Sequence, residues 1–216
     1  REGVVHRVHG GAVANQTFQT TEYSVDARLR SASGAKSSIA HAALQFLPEA
    51  PGGGIFLDAG TTTAAFAELI TMQPAAKQWS IVTNSLSIAL TLANSGLDEI
   101  QLLGGSVRGI TQAVVGNAAL RTLALMRAEV AFIGTNALTV DHGLSTADSQ
   151  EAAIKSAMIT NARKVVVLCD STKMGTDYLV SFGSVDDIDV IITDANAPES
   201  FVKALRDRNV EVIIAS

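Results

Sequence analysis

Short apolar runs alternate with segments of helical periodicity from about residue 36 to the end of the chain. The runs are rich in Val and Ile and end at glycine or polar residues, as buried strands do. Between them, apolar side chains recur at every third or fourth position, so that residues 36–47 place Ile39, Ala43 and Leu47 on one stripe. This alternation predicts an α/β domain with a mostly parallel sheet flanked by helices.

The pattern also gives approximate bounds for the predicted elements. Strands are predicted at 55–57, 80–83, 99–103, 130–133, 164–168, 190–193 and 210–214. Helices are predicted at 36–47, from 61 onwards, at 85–94, after 116, at 150–161 and around Pro198. Pro198 suits a first helical turn, because the amide hydrogen that proline lacks would be unpaired there.

The first 35 residues differ from the rest in showing little apolar periodicity. They contain a predicted turn at Gly10-Gly11 and four arginines, namely Arg1, Arg7, Arg28 and Arg30. We therefore predict a connecting segment at 1–35 and a ligand-binding domain at 36–216. We also predict that the chain starts inside a longer protein.

Charge argues against a nucleic-acid-binding surface within this sequence. The 216 residues include 16 basic and 21 acidic side chains, for a net charge of −5. A surface that binds nucleic acid needs clustered Lys and Arg. Any contact with DNA is therefore expected outside these residues.

Other features exclude further classes of protein. The single cysteine, Cys169, cannot form an intrachain disulfide and is expected to be a buried structural thiol. The four histidines have no metal-binding spacing, and no Gly-x-Gly-x-x-Gly or Walker motif occurs. No apolar stretch reaches the roughly 18 residues of a membrane span, and no secretory signal opens the sequence. We expect a cytoplasmic protein without a metal or a cofactor.

Small polar residues follow several of the predicted strands. In open parallel sheets, ligands bind outside the carboxyl ends of the strands. The polar strand ends are at 58–63, 83–85, 104–106, 134–136 and 170–173. A ligand site is therefore expected where some of these loops meet.

The loop at 58–63 has the composition of an anion site. Gly60 is followed by Thr61, Thr62 and Thr63 at a predicted helix start, which offers free amides, hydroxyls and the positive end of the helix dipole. The same residues also suit simple helix capping. A phosphomonoester carries about −1.5 to −2 charges, whereas a helix end offers roughly +0.5, so a phosphate site should also include a basic side chain.

Two basic residues follow other strand ends and are candidates for that role. Lys173 and Arg108 are both placed where they could reach the crevice, and the alternative for each is a solvated surface cation. Glu151 and Lys155 lie four residues apart on one predicted helix face. They form either a surface ion pair or a carboxylate and an ammonium over the crevice, where the carboxylate could accept sugar hydroxyls or act as the base of an isomerisation.

Seven stretches in this sequence together resemble the sensor domain of DeoR-type transcriptional regulators, and they occur in that family's order. They are Arg7-Val8-His9-Gly10-Gly11-Ala12, Phe56-Leu57-Asp58-Ala59-Gly60-Thr61-Thr62, Val82-Thr83-Asn84-Ser85-Leu86, Leu103-Gly104-Gly105, Phe132-Ile133-Gly134, Asp170-Ser171-Thr172-Lys173 and Asp189-Val190-Ile191-Ile192-Thr193-Asp194.

The resemblance implies a fold similar to ribose-5-phosphate isomerase and glucosamine-6-phosphate deaminase, and it implies a set of ligand-binding residues. By position, the phosphate would be held by Gly60, Thr61, Thr62, Thr63 and Lys173. The rest of the crevice would be lined by Asn84, Gly105 and Arg108. Asp58 suits a sugar hydroxyl or a loop hydrogen bond, and Glu151 and Lys155 are also expected near the ligand. The isomerase has its lysine directly beside its catalytic glutamate, whereas Lys155 comes four residues after Glu151, which favours binding over catalysis.

The function that the resemblance implies is the effector-binding half of a repressor of sugar metabolism, not an enzyme. The expected partners are a phosphorylated sugar as inducer, such as a fructose, pentose or hexosamine phosphate, and operator DNA through a winged helix-turn-helix absent from this sequence. Repressors that read symmetric operators are commonly homodimers or homotetramers. The alternative is an enzyme of the isomerase or deaminase class. A nucleotide-binding module is disfavoured by the missing motifs.

Overall fold

Strands and helices alternate along most of the chain in the computed structural model, which describes residues 5–8, 11–14, 17–19, 21–49 and 51–216. Within these residues the helices are α1 (Val25–Arg30), α2 (Ser33–Ala43), α3 (Thr61–Thr71), α4 (Leu86–Asn94), α5 (Asn117–Leu123), α6 (Ser149–Thr160) and α7 (Glu199–Arg206). Short 3₁₀ turns occur at Leu44–Phe46, Ala76–Gln78, Ser171–Lys173 and Val185–Asp187. In the described part of the chain, no helix has the length and apolar character needed to cross a membrane.

The strands are β1 (Val5–Val8), β2 (Gly11–Ala14), β3 (Thr17–Phe18), β4 (Gly54–Leu57), β5 (Ser80–Thr83), β6 (Ile100–Leu102), β7 (Ser106–Arg108), β8 (Ala113–Val115), β9 (Ala128–Gly134), β10 (Ala137–Thr139), β11 (Gly143–Thr146), β12 (Ala162–Leu168), β13 (Thr176–Asp177), β14 (Val180–Gly183), β15 (Val190–Asp194) and β16 (Glu211–Ala215). All seven predicted strands are present, with ends within two residues of the predicted bounds.

Seven of these strands form one sheet in the order β16-β15-β12-β9-β4-β5-β6, and every neighbouring pair is parallel. The predicted α/β class is therefore confirmed. The chain adds β5 and β6 on one side of β4 and then returns to add β9 on the other side. The strand order thus reverses between β4 and β9, and ligands in such sheets bind outside this switch point.

Helices cover both faces of the sheet, which explains the continuous apolar runs of its strands. Along β4, Ile55 and Leu57 point to the core beneath α2, α3 and α4, whereas Phe56 points to the core beneath α5, α6 and α7. Phe66 of α3 packs against Phe132 of β9 with ring centroids 4.4 Å apart. The two cores fix α3 beside the switch point and α6 on the opposite face.

Small antiparallel pairs lie outside the main sheet and were not predicted, because their strands are too short to produce a clear periodicity. One is the hairpin of β7 and β8, which begins beside Gly105. Gly105 has a φ of +155°, and a Cβ there would lie 2.3 Å from the carbonyl oxygen of Val115. A side chain at this position would therefore clash with the hairpin backbone.

The segment predicted to connect domains contains ordered structure of its own. Ser24 caps α1 by accepting a hydrogen bond from the amide of Ala27 at 3.3 Å, and α2 begins at Ser33 rather than at residue 36. Arg1, and Gly10 of the predicted turn, lie outside the described residues. Residues 21–35 are packed against the domain, so that Val25 donates its amide hydrogen to the carbonyl of Ile110 at 3.1 Å.

Candidate functional site

A cavity of about 400 Å³ lies at the carboxyl ends of β4, β9 and β12, beside the switch point of the sheet. Its walls come from α1, α2, the start of α3, the loop after β9 and the loop after β12. The lining residues are Tyr23, Ala27, Arg28, Ser31, Lys36, Ala59, Gly60, Thr61, Thr62, Gly134, Thr135, Asn136, Lys155, Leu168, Asp170, Lys173 and Tyr178. Five predicted site residues are among them, namely Gly60, Thr61, Thr62, Lys155 and Lys173.

The N-terminus of α3 opens onto this cavity. Gly60 precedes the helix and provides no side-chain cap, and the first hydrogen bond within the helix runs from the amide of Ala64 to the carbonyl of Gly60 at 2.9 Å. The earlier amides of a helix have no partner inside it. Thr61 and Thr62, each 7% exposed, line the cavity at this end. This end of α3 can therefore accept an anion.

Thr63 has a different role from its two neighbours. Its hydroxyl donates to the carbonyls of Asp58 at 2.7 Å and Gly60 at 2.9 Å, and its side chain is fully buried. Thr63 does not line the cavity. It fixes the turn that aims the start of α3 at the cavity.

Among the residues that the structure describes, four with basic side chains line the cavity, namely Arg28, Lys36, Lys155 and Lys173. Lys36 is 6% exposed, and its ammonium donates to the carbonyls of Arg28, at 2.8 Å, and Ser31. Burial lowers the pKa of Lys36, Asp170 opposes the shift, and the charges of Lys173 and Arg28 add to it. Such a concentration of positive charge favours an anionic ligand.

Lys155 is paired with Asp58 beneath the cavity. The ammonium contacts the Asp58 carboxylate and donates to the carbonyl of Gly134 at 3.0 Å, while the amide of Gly134 donates to Asp58 Oδ2 at 3.1 Å. Asp58 is fully buried. Burial raises the pKa of Asp58, and the Lys155 charge acts in the opposite direction. These contacts join the loops that follow β4 and β9.

Two carboxylates shape the loop that carries Lys173. Asp170, which lines the cavity, accepts hydrogen bonds from the amide and the hydroxyl of Thr172. Asp194, at the end of β15, accepts from Ser171 N at 2.7 Å and Ser171 Oγ at 2.9 Å. Burial raises the pKa of Asp194, but its hydrogen bonds together outweigh that effect and hold the pKa below the ordinary value. Asp194 thus positions the loop without lining the cavity.

Asn84 and Gly105 were expected to line the crevice, but neither lines the cavity. The Asn84 side chain accepts from the amide of Ala59 at 2.9 Å and donates to the carbonyl of Val114 at 3.4 Å. Gly105 allows the close approach of the β7–β8 hairpin described above. Both residues therefore support the loops around the site.

Arg108 and Glu151 belong to a separate charged cluster and also do not line the cavity. Arg108 forms two hydrogen bonds of 2.9 Å with Glu22, contacts Asp148 at 3.3 Å and reaches Glu151 at 2.5 Å. Glu151 also accepts from the hydroxyl of Thr111. The hydrogen bonds with Glu22 and Glu151 and their charges raise the pKa of Arg108. Glu151 and Lys155 share a helix, but each binds a different partner.

Known proteins identify the family of this chain. Residues 31–195 match the family model of the DeoR C terminal sensor domain. The HTH-type transcriptional regulator GlpR of Haloferax volcanii is 34% identical over 213 residues, which cover 98% of this chain and 80% of GlpR. The chain belongs to the DeoR family. A second relative, the glycerol-3-phosphate regulon repressor of Escherichia coli K12, is 29% identical over 98% of this chain and 81% of its own length.

The DeoR-family chain resembles solved structures less closely than it resembles these relatives in sequence. Ribose 5-phosphate isomerase A from Methanocaldococcus jannaschii has 18% sequence identity and a TM-score of 0.48, covering 67% of this chain and 55% of the isomerase. A score at this level carries no argument about activity. The class of the fold rests instead on the parallel sheet described above.

The sequence does not point to several of the residues that line the DeoR-family cavity. Lys36 left a signal, because this cation lies on the buried stripe that continues through Ile39 and Ala40. Tyr23 and Arg28 lie in a segment without clear periodicity. Tyr178 follows the two-residue strand β13. For these three residues, no pattern in the sequence indicated the cavity.

The buried pair of Asp58 and Lys155 should be important for stability. Lys155→Met leaves the Asp58 carboxylate without its ammonium partner, and breaking a buried ion pair in this way costs about 3–5 kcal/mol. Urea unfolding should show this loss, and the Asp58→Asn/Lys155→Met double variant should lose less than the sum of the two single variants. The exposed Lys77→Met is the control. Additive losses would contradict a direct interaction.

Asp194→Asn should lower the free energy of unfolding at neutral pH by about 1–3 kcal/mol, because it weakens charged hydrogen bonds to the 171–173 turn. The native pKa of Asp194 lies below the ordinary 3.8, so its contribution is complete above about pH 3.8 and is lost as the pH falls through the lower native pKa. Urea unfolding from about pH 7 to about pH 3 should therefore show the two proteins converging at acid pH. A gap independent of pH would contradict this role for the carboxylate.

Proposed function

We propose that this chain is the effector-binding part of a DeoR-family repressor and that its cavity binds a phosphorylated sugar. The observation that carries the proposal is the convergence of the uncapped start of α3 with Arg28, Lys36 and Lys173 on one cavity. Free helix amides and basic side chains together are the usual protein partners of a phosphate.

The charge balance of the cavity favours a ligand with one phosphate. Lys155 is already paired with Asp58. Among the lining side chains that the structure describes, Arg28, Lys36 and Lys173 remain against one carboxylate, that of Asp170, which leaves a surplus of two positive charges. A phosphomonoester carries about −1.5 to −2 charges at neutral pH, so it would neutralise this surplus.

The rest of the cavity suits a polyhydroxylated group. Thr135, Asn136 and Asp170 offer side-chain donors and acceptors, while Tyr23 and Tyr178 add aromatic surface. A volume of about 400 Å³ lies in the usual range for small-molecule sites. We propose a phosphorylated fructose, pentose or hexosamine as the candidate ligand.

The placement of Glu151 favours binding over turnover. An isomerase needs a base within hydrogen-bond reach of its substrate. The Glu151 carboxylate instead binds Arg108 at 2.5 Å and the Thr111 hydroxyl, and it does not line the cavity. The names of the relatives, which are a transcriptional regulator and a regulon repressor, point in the same direction.

The proposed repressor would act on operator DNA in the cytoplasm as a homodimer or homotetramer. The net charge of −5 makes this part a poor DNA-binding surface, so the operator would be bound by a separate helix-turn-helix module. Ligand binding would then change operator affinity through a coupling free energy, which is typically about 1–3 kcal/mol.

A thermal-shift panel of sugar monophosphates, sugar bisphosphates and unphosphorylated sugars tests the ligand class. A ligand at 100 times its Kd should add about 2.7 kcal/mol of stability, and monophosphates should stabilise most. Lys173→Ala should remove most of the shift with little effect on the unliganded protein, because Lys173 forms no ion pair with any residue that the structure describes.

Lys77→Ala serves as the matched control in the panel, since this lysine is exposed and lies away from the cavity. Thr62→Val tests the hydroxyl separately, because it keeps the approximate shape of the side chain and removes the donor. If no phosphate stabilises the parent protein, the proposed ligand class is wrong. If Thr62→Val binds the ligand as tightly as the parent protein does, the Thr62 hydroxyl has no part in ligand binding, and the residue serves only to start the helix.

The enzymatic alternative has its own test. The purified chain should not interconvert aldose and ketose phosphates faster than a matched Glu151→Gln preparation. Incubation with each phosphate that stabilises the protein, followed by chromatographic analysis, measures this directly. Turnover that the glutamine variant abolishes would establish an enzyme with Glu151 in its mechanism.

A further inference from the structure

One wall of the cavity is formed by α1, whose Arg28 has an unusual environment. Arg28 lines the cavity, and its Nε is buried without a hydrogen-bond partner among the residues that the structure describes. A buried donor without a partner is unfavourable. An anion in the cavity would supply the missing acceptor, since a guanidinium binds phosphate through several N–H groups.

Lys36 connects the same wall to the cavity. Its ammonium donates to the carbonyls of Arg28 and Ser31, at the C-terminal end of α1. An ammonium has three N–H donors, and these two carbonyls are its hydrogen-bond partners among the residues that the structure describes. A third donor is therefore available to a ligand in the cavity that Lys36 lines. An anion there would contact α1 directly through Arg28 and indirectly through Lys36.

The contacts that the structure describes for this wall are otherwise mainly polar. Among its described side chains, Val25, Ala27 and Arg28 are half-buried, so α1 adds none of these side chains to the fully buried core. Ala32, which joins α1 to α2, has a left-handed φ of +51°, a conformation that is unfavourable for alanine. Segments with little apolar packing open locally at low free energy.

Upstream of α1, separate contacts fasten the chain to the domain. Glu22 binds Arg108 through two hydrogen bonds of 2.9 Å. The Tyr178 hydroxyl, whose side chain also lines the cavity, donates to the carbonyl of Thr21 at 3.0 Å. Residues 21–31 therefore form a strap that is attached near the cavity at both of its ends.

We propose that Arg28 is a ligand-binding residue and that the bound anion holds the strap, residues 21–31, against the sheet. The cations that line the cavity repel one another, and the charges of Lys173 and Arg28 both lower the pKa of Lys36. An anion replaces this repulsion with attraction between α1, α2 and the start of α3. Occupancy of the cavity thereby changes the order of the segment that leads towards the N-terminal end of the chain. This inference rests on the proposed anion-binding function.

Hydrogen–deuterium exchange with inorganic phosphate as the probe tests the strap, with chloride at equal ionic strength as the reference. Phosphate should slow amide exchange in residues 25–31 about tenfold, the change expected from one charge-assisted hydrogen bond. Arg28→Met should weaken phosphate binding about tenfold and abolish the slowing. Arg28→Lys should restore part of both effects because it keeps the charge.

Arg121→Met is the matched control, since Arg121 is exposed on α5 and does not line the cavity. It should behave like the parent protein in both measurements. If Arg28→Met folds poorly, hydrogen–deuterium exchange of the parent protein in phosphate and in chloride still tests the strap.

The two proposals fail in different ways. If phosphate raises the melting temperature of the parent protein and leaves exchange in residues 25–31 unchanged, the strap is overturned and the anion site remains. The role of Arg28 is overturned if Arg28→Met binds phosphate like Arg121→Met. If phosphate has no effect on the melting temperature, the proposed function fails and the inference fails with it.

Discussion

The contact of Asp58 with Lys155 and Gly134 joins the two strands between which the order of the sheet reverses. The loops after β4 and β9 diverge at this point, and the divergence creates the cavity. Because Asp58 is fully buried and its carboxylate contacts both the ammonium and the Gly134 amide, the two loops keep a fixed separation. The start of α3 follows directly from the Asp58 loop, so its orientation depends on the same contact.

This arrangement divides the charged residues into two groups with different chemistry. Among the described residues that line the cavity, Arg28, Lys36 and Lys173 outnumber the carboxylate of Asp170. In the neighbouring cluster the balance is reversed, because Arg108 is surrounded by three carboxylates. An unmatched cation group attracts an external anion, whereas the matched guanidinium of Arg108 already has its partners. The first group is therefore suited to ligand binding and the second to holding the β7–β8 hairpin, the strap and α6 together.

Local sequence was sufficient where the chemistry is contained in one stretch of chain. Gly60, Thr61 and Thr62, which line the cavity, were indicated by the sequence because a polar strand end followed by a helix start places its amides and hydroxyls at one edge of the sheet. The parallel sheet itself followed from runs such as 190–193, which are apolar on both faces. The sequence also contains a signal for Lys36, because a cation on a buried helical stripe needs a polar partner. The periodicity does not say what that partner is.

Local sequence was insufficient where a charged residue pairs with a residue from a distant stretch of the chain. Arg108 and Glu22 are 86 positions apart, and nothing near Arg108 indicates that an acidic residue from the first part of the chain reaches it. The same applies to Glu151 and Lys155, whose spacing of four allowed a mutual ion pair. In the folded protein, Lys155 pairs with Asp58 and Glu151 pairs with Arg108 instead. A residue type at a strand end thus predicts which chemistry is possible there, whereas the charges brought near it by the fold determine whether it remains free to bind a ligand.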